Sequence, residues 1–346
     1  MPAKVVKAKP IADVPFFFVI DDRVTFSYIF TASQPGQYTI NPNGTVAANH
    51  ETKQVYSFTH FDAWAYGTNF FTISLFKSSH NDPAGPCIGG GTTFVAAGTF
   101  LPASCAGASE IYGLVRSTFG WNEIFNTHAF TMGPLHNISF VVGADANVDN
   151  RFIAVSKRDA VAGLQFAFDL PYKGFFNVNT LAYKEINHNA FQQCNGLFAG
   201  NIPGFNCLAD GNTSYKTTWA VETNYYMDLG FLPENLQFFA ISGRAAWYGK
   251  KGNDNEPCGL GCGGAPSAVE FNSEPIRLTL DASKAMWGSK YSHFVDVWVA
   301  YRYWQNKFGL DHNAPSAACS VTIGGVTRPS GACTEESAYA GVTVKF

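Results

Sequence analysis

Residues 295–304 read Val-Asp-Val-Trp-Val-Ala-Tyr-Arg-Tyr-Trp. Val295, Val297, Val299, Tyr301 and Tyr303 fall on one side of an extended chain, and Asp296, Trp298, Ala300 and Arg302 on the other. A period of two belongs to a β-strand, because successive side chains point to opposite faces of the sheet. One face is wholly apolar or aromatic and the other carries both signs of charge, so the strand separates an oily environment from a polar one.

Working outward, the same alternation recurs at both ends of the chain. Near the start, Val24, Phe26, Tyr28 and Phe30 oppose Arg23, Thr25 and Ser27. The last residues set Ala338, Ala340, Val342, Val344 and Phe346 against Tyr339, Gly341, Thr343 and Lys345. Reading the whole chain this way predicts strands near 22–32, 54–65, 69–78, 110–120, 136–147, 158–169, 174–186, 215–227, 236–248, 268–281, 291–304 and 336–346. Most reach the roughly 9–11 residues that a tilted strand needs to cross a bilayer.

Composition agrees. Charged residues are 14% of the 346, against roughly 25% in an ordinary soluble domain. There are 31 Phe, 15 Tyr and 7 Trp, yet mean hydropathy is only −0.03. A transmembrane barrel has this profile, since outward apolar residues and inward polar ones cancel; a soluble sandwich shares part of it. No apolar run approaches the roughly 18 residues of a spanning helix, and the best, Val14 to Ile20, stops at Asp21-Asp22. In lipid the backbone must satisfy its own hydrogen bonds, so a membrane protein without such helices is a closed barrel.

The predicted connections alternate in length: 33–53 long, 66–68 short, 79–109 long, 121–135 and 148–157 medium, 170–173 short, 187–214 long, 228–235 short, 249–267 long, 282–290 short and 305–335 long. Short turns at one end and long loops at the other describe an up-and-down barrel. The expected fold is all-β, a single transmembrane antiparallel barrel of about twelve strands over 16–346, behind a flexible N-terminal segment 1–15. That segment lacks the apolar core of a signal peptide and reads as a mature N-terminus behind an added Met. A net charge of −3 without a basic run gives no footing for nucleic acid.

All eight cysteines lie in four of the long connections, two in each. Eight cysteines allow 105 pairings; the layout favours the local set Cys87–Cys105, Cys194–Cys207, Cys258–Cys262 and Cys319–Cys333. Such bonds persist in an oxidising compartment, the periplasm or cell surface. Cys258 and Cys262 also have a metal-like spacing, but no second close pair accompanies them, and no metal site is assigned.

The ending Tyr339-Ala-Gly-Val-Thr-Val-Lys-Phe346 resembles the terminal strand of outer-membrane proteins. Three further stretches resemble, in the same order, those of the Tsx-like nucleoside-specific outer-membrane channels: Phe61-Asp62-Ala-Trp64-Ala-Tyr66-Gly67 followed by Phe70-Phe71, Phe130-Thr-Met-Gly-Pro134-Leu-His-Asn137, and Val295 to Trp304. The resemblance covers nearly the whole chain, apart from its cysteine-bearing loops. It implies a monomeric, passive diffusion channel in outer-membrane lipid, without cofactor or catalytic residue, that takes nucleosides or similar neutral polar or aromatic solutes. Its loops would face the cell exterior and both termini the periplasm. The alternative is a structural or adhesive barrel with a plugged lumen and stapled loops as its working surface.

Placing charges inside, because a charge facing lipid at midplane costs roughly 2–4 kcal/mol, gives a candidate lumen. It holds Tyr56, Phe58, His60, Asp62, Trp64, Arg116, Tyr183, Glu222, Asp296, Trp298 and Arg302, with Arg23, Asp145, Asn177, Asn179, Glu185, Asn224, Arg244, Arg277, Asp281, Trp304 and Lys345 beside them. Mixed signs and aromatic rings suit a neutral solute with a flat face, since stacking contributes roughly 1–3 kcal/mol per base in nucleic-acid proteins. Glu270 and Glu274 have the opposite parity to Arg277 and Asp281, which predicts a bulge near Pro275. The other motifs are weak. Asp145-Ala-Asn147-Val-Asp149-Asn150 imitates the start of a calcium loop without its later ligands. Gly89–Gly91 lacks the Lys of a phosphate loop, and no Ser, His and acid match a triad by motif.

Overall fold

A computed structural model describes residues 15–346 except 41, 42, 44, 49, 81, 83, 85–91, 97–98, 104–105, 152–155, 188–211, 252–266 and 316–317. Twelve long strands dominate: β1 (Phe17–Ala32), β2 (Glu51–Trp64), β3 (Gly67–Ser78), β4 (Ser109–Gly120), β5 (Leu135–Asp149), β6 (Ser156–Leu170), β7 (Gly174–Asn187), β8 (Thr218–Asp228), β9 (Phe239–Tyr248), β10 (Glu270–Asp281), β11 (Val295–Gln305) and β12 (Thr334–Lys345). Each is antiparallel to the next. The sheet closes where β12 meets β1, from Arg23 opposite Lys345 to Ile29 opposite Tyr339. Closure removes both sheet edges and lets the strand backbones hydrogen-bond to each other throughout.

The alternation of turns and loops follows from this topology. One end, the turn end, holds both ends of the strand series and the segments 65–66, 121–134, 171–173, 229–238 and 282–294. The last of these contains α1 (Ala282–Trp287), whose N-cap Asp281 accepts from Lys284 N. The other end, the loop end, is where β1, β3, β5, β7, β9 and β11 finish and the longer connections start, with small hairpins paired at 38–40 with 46–48, 92–96 with 99–103, and 320–323 with 326–329. A disulfide joins Cys319 to Cys333 around the last hairpin. Cys87, Cys105, Cys194, Cys207, Cys258 and Cys262 lie outside the described residues.

The outer face is the apolar one. Val24, Phe26, Ile73, Leu75, Val115, Val142, Leu278, Val297, Val299 and Val342 are exposed and line up across neighbouring strands. At the turn end an aromatic rim forms: Trp64 stacks on Phe16 and meets Tyr66 and Phe119 edge-on, while Trp121 packs against Phe130 and Phe140. Rings with an apolar body and polar tip suit the membrane–water boundary. Inside, hydroxyls pair across strands, as Ser57 with Ser74 (2.7 Å) and Thr25 with Thr343 (2.9 Å). Two glycines make room for large lumen side chains. A Cβ at Gly143 would stand 2.6 Å from Arg116 Cδ, and one at Gly341 would collide with the Trp298 indole.

The expected bulge is present. Register shifts between Ser273 and Ile276, and between Ser242 and Arg244, bring Glu270 and Glu274 to the same face as Arg277 and Asp281. The stretch that imitates the start of a calcium loop lies mostly within β5. Residues 145–149 are β-strand rather than loop, and the Asp145 and Asp149 carboxylates are bound by Arg116 and Arg151.

Candidate functional site: the lumen

Register places the lumen side chains in rows. On the turn-end half, one row runs Asn137, Ala167, Asn177, Asn224, Arg244, and the next runs Ser139, Gln165, Asn179, Glu222, Ala246, Asn272. Neutral amides dominate both rows. Asn224 and Arg244 are exposed to the bore, and no carboxylate of the described residues pairs with Arg244. Asn179 Oδ1 is buried without a hydrogen-bond partner among the described residues. The next row toward the loops is apolar, Val141, Leu181 and Ala220 clustering with Val161, Tyr183 and Tyr248.

Arg116 of β4 crosses the lumen to β8. Its Nη2 and Nε donate to the two carboxylate oxygens of Glu222, at 2.7 and 3.1 Å, and its Nη1 to Asp145 at 2.5 Å. The planar guanidinium suits this two-pronged grip. The Tyr112 hydroxyl donates to the other oxygen of Asp145, and the Tyr248 hydroxyl to the Glu222 oxygen that Arg116 Nη2 also binds. On the facing wall, Trp298 is buried, donates to Thr343 Oγ1 (3.0 Å) and lies under the Arg277 guanidinium (3.9 Å); Glu274 holds Arg277 at 2.6 Å.

Loop residues fill the loop-end mouth. Lys307 Nζ donates to Ser33 O (2.5 Å) and Glu335 (2.6 Å), and Arg302 approaches the same carboxylate while lying over Trp304. Lys251 Nζ meets Glu185 (2.6 Å) and Glu270 (3.4 Å), with Tyr183 donating to Glu185. Lys251, Lys307, Glu185 and Glu335 are all nearly inaccessible. Sequence reading missed both lysines, because they sit in loops where no period reveals a face.

At the turn end acidic groups gather. Arg23 pairs with Asp21 and lies 3.8 Å from Asp296; Lys345 reaches Asp21 at 2.6 Å. His293, in the segment before β11, bonds Asp296 through Nδ1 (3.0 Å) and Tyr226 OH through Nε2 (3.1 Å). The bond to Asp296 raises the imidazole above its ordinary pKa of 6.5, against a smaller effect of burial, and Asp281 and Asp228 add to it.

Of the expected lumen residues, Arg116, Tyr183, Glu222, Asp296, Trp298 and Arg302 do share the inner face. The expectation for β2 is corrected. Tyr56 stands opposite Phe26, Phe58 opposite Val24 and His60 opposite Asp22, so Tyr56, Phe58, His60, Asp62 and Trp64 lie on the outer face. The inner row of β2 is Glu51, Lys53, Val55, Ser57, Thr59, Phe61 and Ala63. The charge criterion failed because these outer polar groups satisfy one another. A hydrogen-bonded chain runs Asp22–His60 (2.7 Å), His60–Asp62 (3.0 Å), Asp62–Asn69 (2.8 Å) and Asn69–Ser117 (2.7 Å), beside the aromatic rim. Near the boundary an outward charge costs only about 0–1 kcal/mol. The Ser57 and Thr59 hydroxyls, matched by Ser74 and Thr72, are the signal that gives the true parity.

An apolar skin, an aromatic rim and a charged, hydrogen-bonded bore in one closed sheet define a membrane-spanning β-barrel. No family model matches the chain, and no curated protein matches it by sequence. Solved structures similar to it are barrels of several kinds. The translocator domain of the autotransporter NalP from Neisseria meningitidis has 10% identity and a TM-score of 0.37, over 97% of this chain and 90% of that one. LpxR from Salmonella typhimurium has 8% identity and a TM-score of 0.38, over 94% and 100%. OccK11 from Pseudomonas aeruginosa has 8% identity and a TM-score of 0.35, over 94% and 95%. Likeness at that level leaves the functional reading to the chain's own residues.

Proposed function

We propose that the chain is a bacterial outer-membrane barrel that lets small polar solutes diffuse through its lumen, with its loops outside and its termini in the periplasm. The reading rests on the bore of the turn-end half. Two rows rich in neutral amides, an exposed Arg244 and the aromatic groups around Tyr226 offer hydrogen bonds and flat surfaces to a solute. A single-signed bore would select ions; this one is mixed. Nucleosides are named as cargo by the motif resemblance of the β2–β3 and β11 segments, and the barrel works as a monomer.

A second reading, a plugged barrel whose loops are the working surface, is favoured by the buried Lys251 and Lys307 clamps in the loop-end mouth. Conductance of the purified barrel in a planar bilayer, with and without nucleosides, separates the two. Steady conductance that nucleosides reduce supports the channel. A barrel that conducts nothing in either condition supports the plug.

A further inference from the structure

At the turn end three potential ligands converge from separate pieces of chain. Asp281 ends β10, His293 lies one residue before the end of the following segment, and Asp296 is the second residue of β11. One ligand atom from each lies within 4.8 Å of the others. His293 Nδ1 is 3.0 Å from Asp296 Oδ1 and 3.9 Å from Asp281 Oδ2. A tetrahedral zinc ion bound at 2.0–2.2 Å separates its ligand atoms by about 3.4 Å, and the observed distances bracket that value. Both carboxylates are buried, at 2% and 4% exposure, so they are not a solvated acidic patch.

The surroundings fix the imidazole as a metal ligand needs. Tyr226 OH donates to Asp228 (2.6 Å), which leaves its oxygen to accept from His293 Nε2–H at 3.1 Å. That places the permanent proton on Nε2 and leaves Nδ1, facing the two carboxylates, as the position that a metal takes once its proton is lost. A ligating histidine that gives its other N–H to a hydrogen-bonded acceptor is the usual outer-shell arrangement of metal sites. Asp281 Oδ1 is occupied by Lys284 N and Ser283 Oγ, and Oδ2 accepts from His293 N and Ser292 Oγ. The Ser292 hydroxyl can rotate away to free the position.

We infer that Asp281, His293 and Asp296 form a site for a divalent transition-metal cation of the zinc type, with water completing the coordination. Binding displaces the proton that His293 Nδ1 now shares with Asp296 and releases it to solvent. The ion then ties the segment 282–294 to β10 and β11 at the turn end of the barrel. The groups facing the imidazole are Asp228, Tyr226, Asp281 and Asp296, with Arg23 beyond Asp296. Three carboxylates around one imidazole and one guanidinium leave an excess of negative charge for the cation.

The test uses the full chain, folded in detergent and stripped with a chelator, titrated calorimetrically with zinc and by visible absorption with cobalt(II). One metal per chain is expected, bound more weakly as pH falls from about 8 to about 6 because protons compete for the imidazole. His293→Gln should lose that stoichiometric site, and Tyr226→Phe should weaken it by about 10–100-fold. Ser292→Ala should bind at least as well as the parent. Heat-modifiable gel migration checks that each variant is folded; should His293→Gln fail to fold, Ser292→Ala and Asp296→Asn, the latter expected to weaken binding, decide. Absence of stoichiometric binding, binding by folded His293→Gln equal to that of the parent, or loss of the site in Ser292→Ala overturns the inference.

Discussion

Replacing Arg116 with methionine removes a side chain that reaches across the bore from β4 to β8 and grips Asp145 and Glu222. Arg116 and Asp145 are buried, and the Glu222 side chain is only 15% exposed. Methionine fills much of the same volume but leaves two carboxylates in the interior with only the Tyr112 and Tyr248 hydroxyls to face. Removing one partner of a buried ionic group typically costs about 3–5 kcal/mol. Arg116→Met should therefore lower unfolding free energy by about that amount, read from the shift of the denaturant midpoint in detergent. Neutralising the orphans in the triple variant Arg116→Met/Asp145→Asn/Glu222→Gln should recover most of the loss, because the penalty belongs to uncompensated charge. The bridge also obstructs the bore, so both variants should show higher single-channel conductance than the parent. A cost for Arg116→Met below about 1 kcal/mol, or a triple variant no more stable than the single, would refute the view that buried charge compensation holds β4 against β8.

Three further outcomes follow from the same structure. Ile73→Arg puts a cation on the exposed apolar face and should destabilise by about 2–4 kcal/mol in bilayers, whereas Asp62→Asn beside the rim should change stability little; folding titrations in lipid vesicles check both. Reducing Cys319–Cys333 frees a segment with a sequence separation of 14, worth about 3 kcal/mol in the chain-entropy model, and should speed protease cleavage between 320 and 329 while the strands stay protected. His293 has a folded-state pKa above its ordinary value. Its ionised form therefore contributes stability that is complete below about pH 6.5 and fades as pH rises through the higher folded-state value. In metal-free detergent the melting temperature should decline across that window, and His293→Gln should flatten the profile.

The strands were legible because a bilayer imposes the period of two along a whole crossing. β11 and β12 show it without interruption, and both read correctly from residue types alone. β10 was legible through its violation: Glu270 and Glu274 cannot share a face with Arg277 and Asp281 unless the chain gains a residue, and the register shift near Pro275 supplies it. β2 misled because charge was taken as a marker of the interior. His60 and Asp62 balance each other on the outside near the boundary, while the real interior of that strand carries the uncharged Ser57, Thr59, Phe61 and Ala63 in its turn-end half. Lys251 and Lys307 could not be read because their positions depend on how loops fold back over the mouth. His293 escaped for a related reason: its partners Asp228, Tyr226, Asp281 and Asp296 come from three strands, and only closure of the sheet brings them together.

The seam between β1 and β12 has a bearing on how the molecule is made. Its zipper runs from Lys345 at one end to Tyr339 at the other, with Phe346 N bonded to Asp22 O beyond it. The partner of the first strand is thus the twelfth strand, separated from it by the whole of the rest of the sheet. Without β12, β1 and β11 would each offer a bare row of amides and carbonyls, so a chain cut short before 334 has no cylinder to insert and two adhesive borders instead.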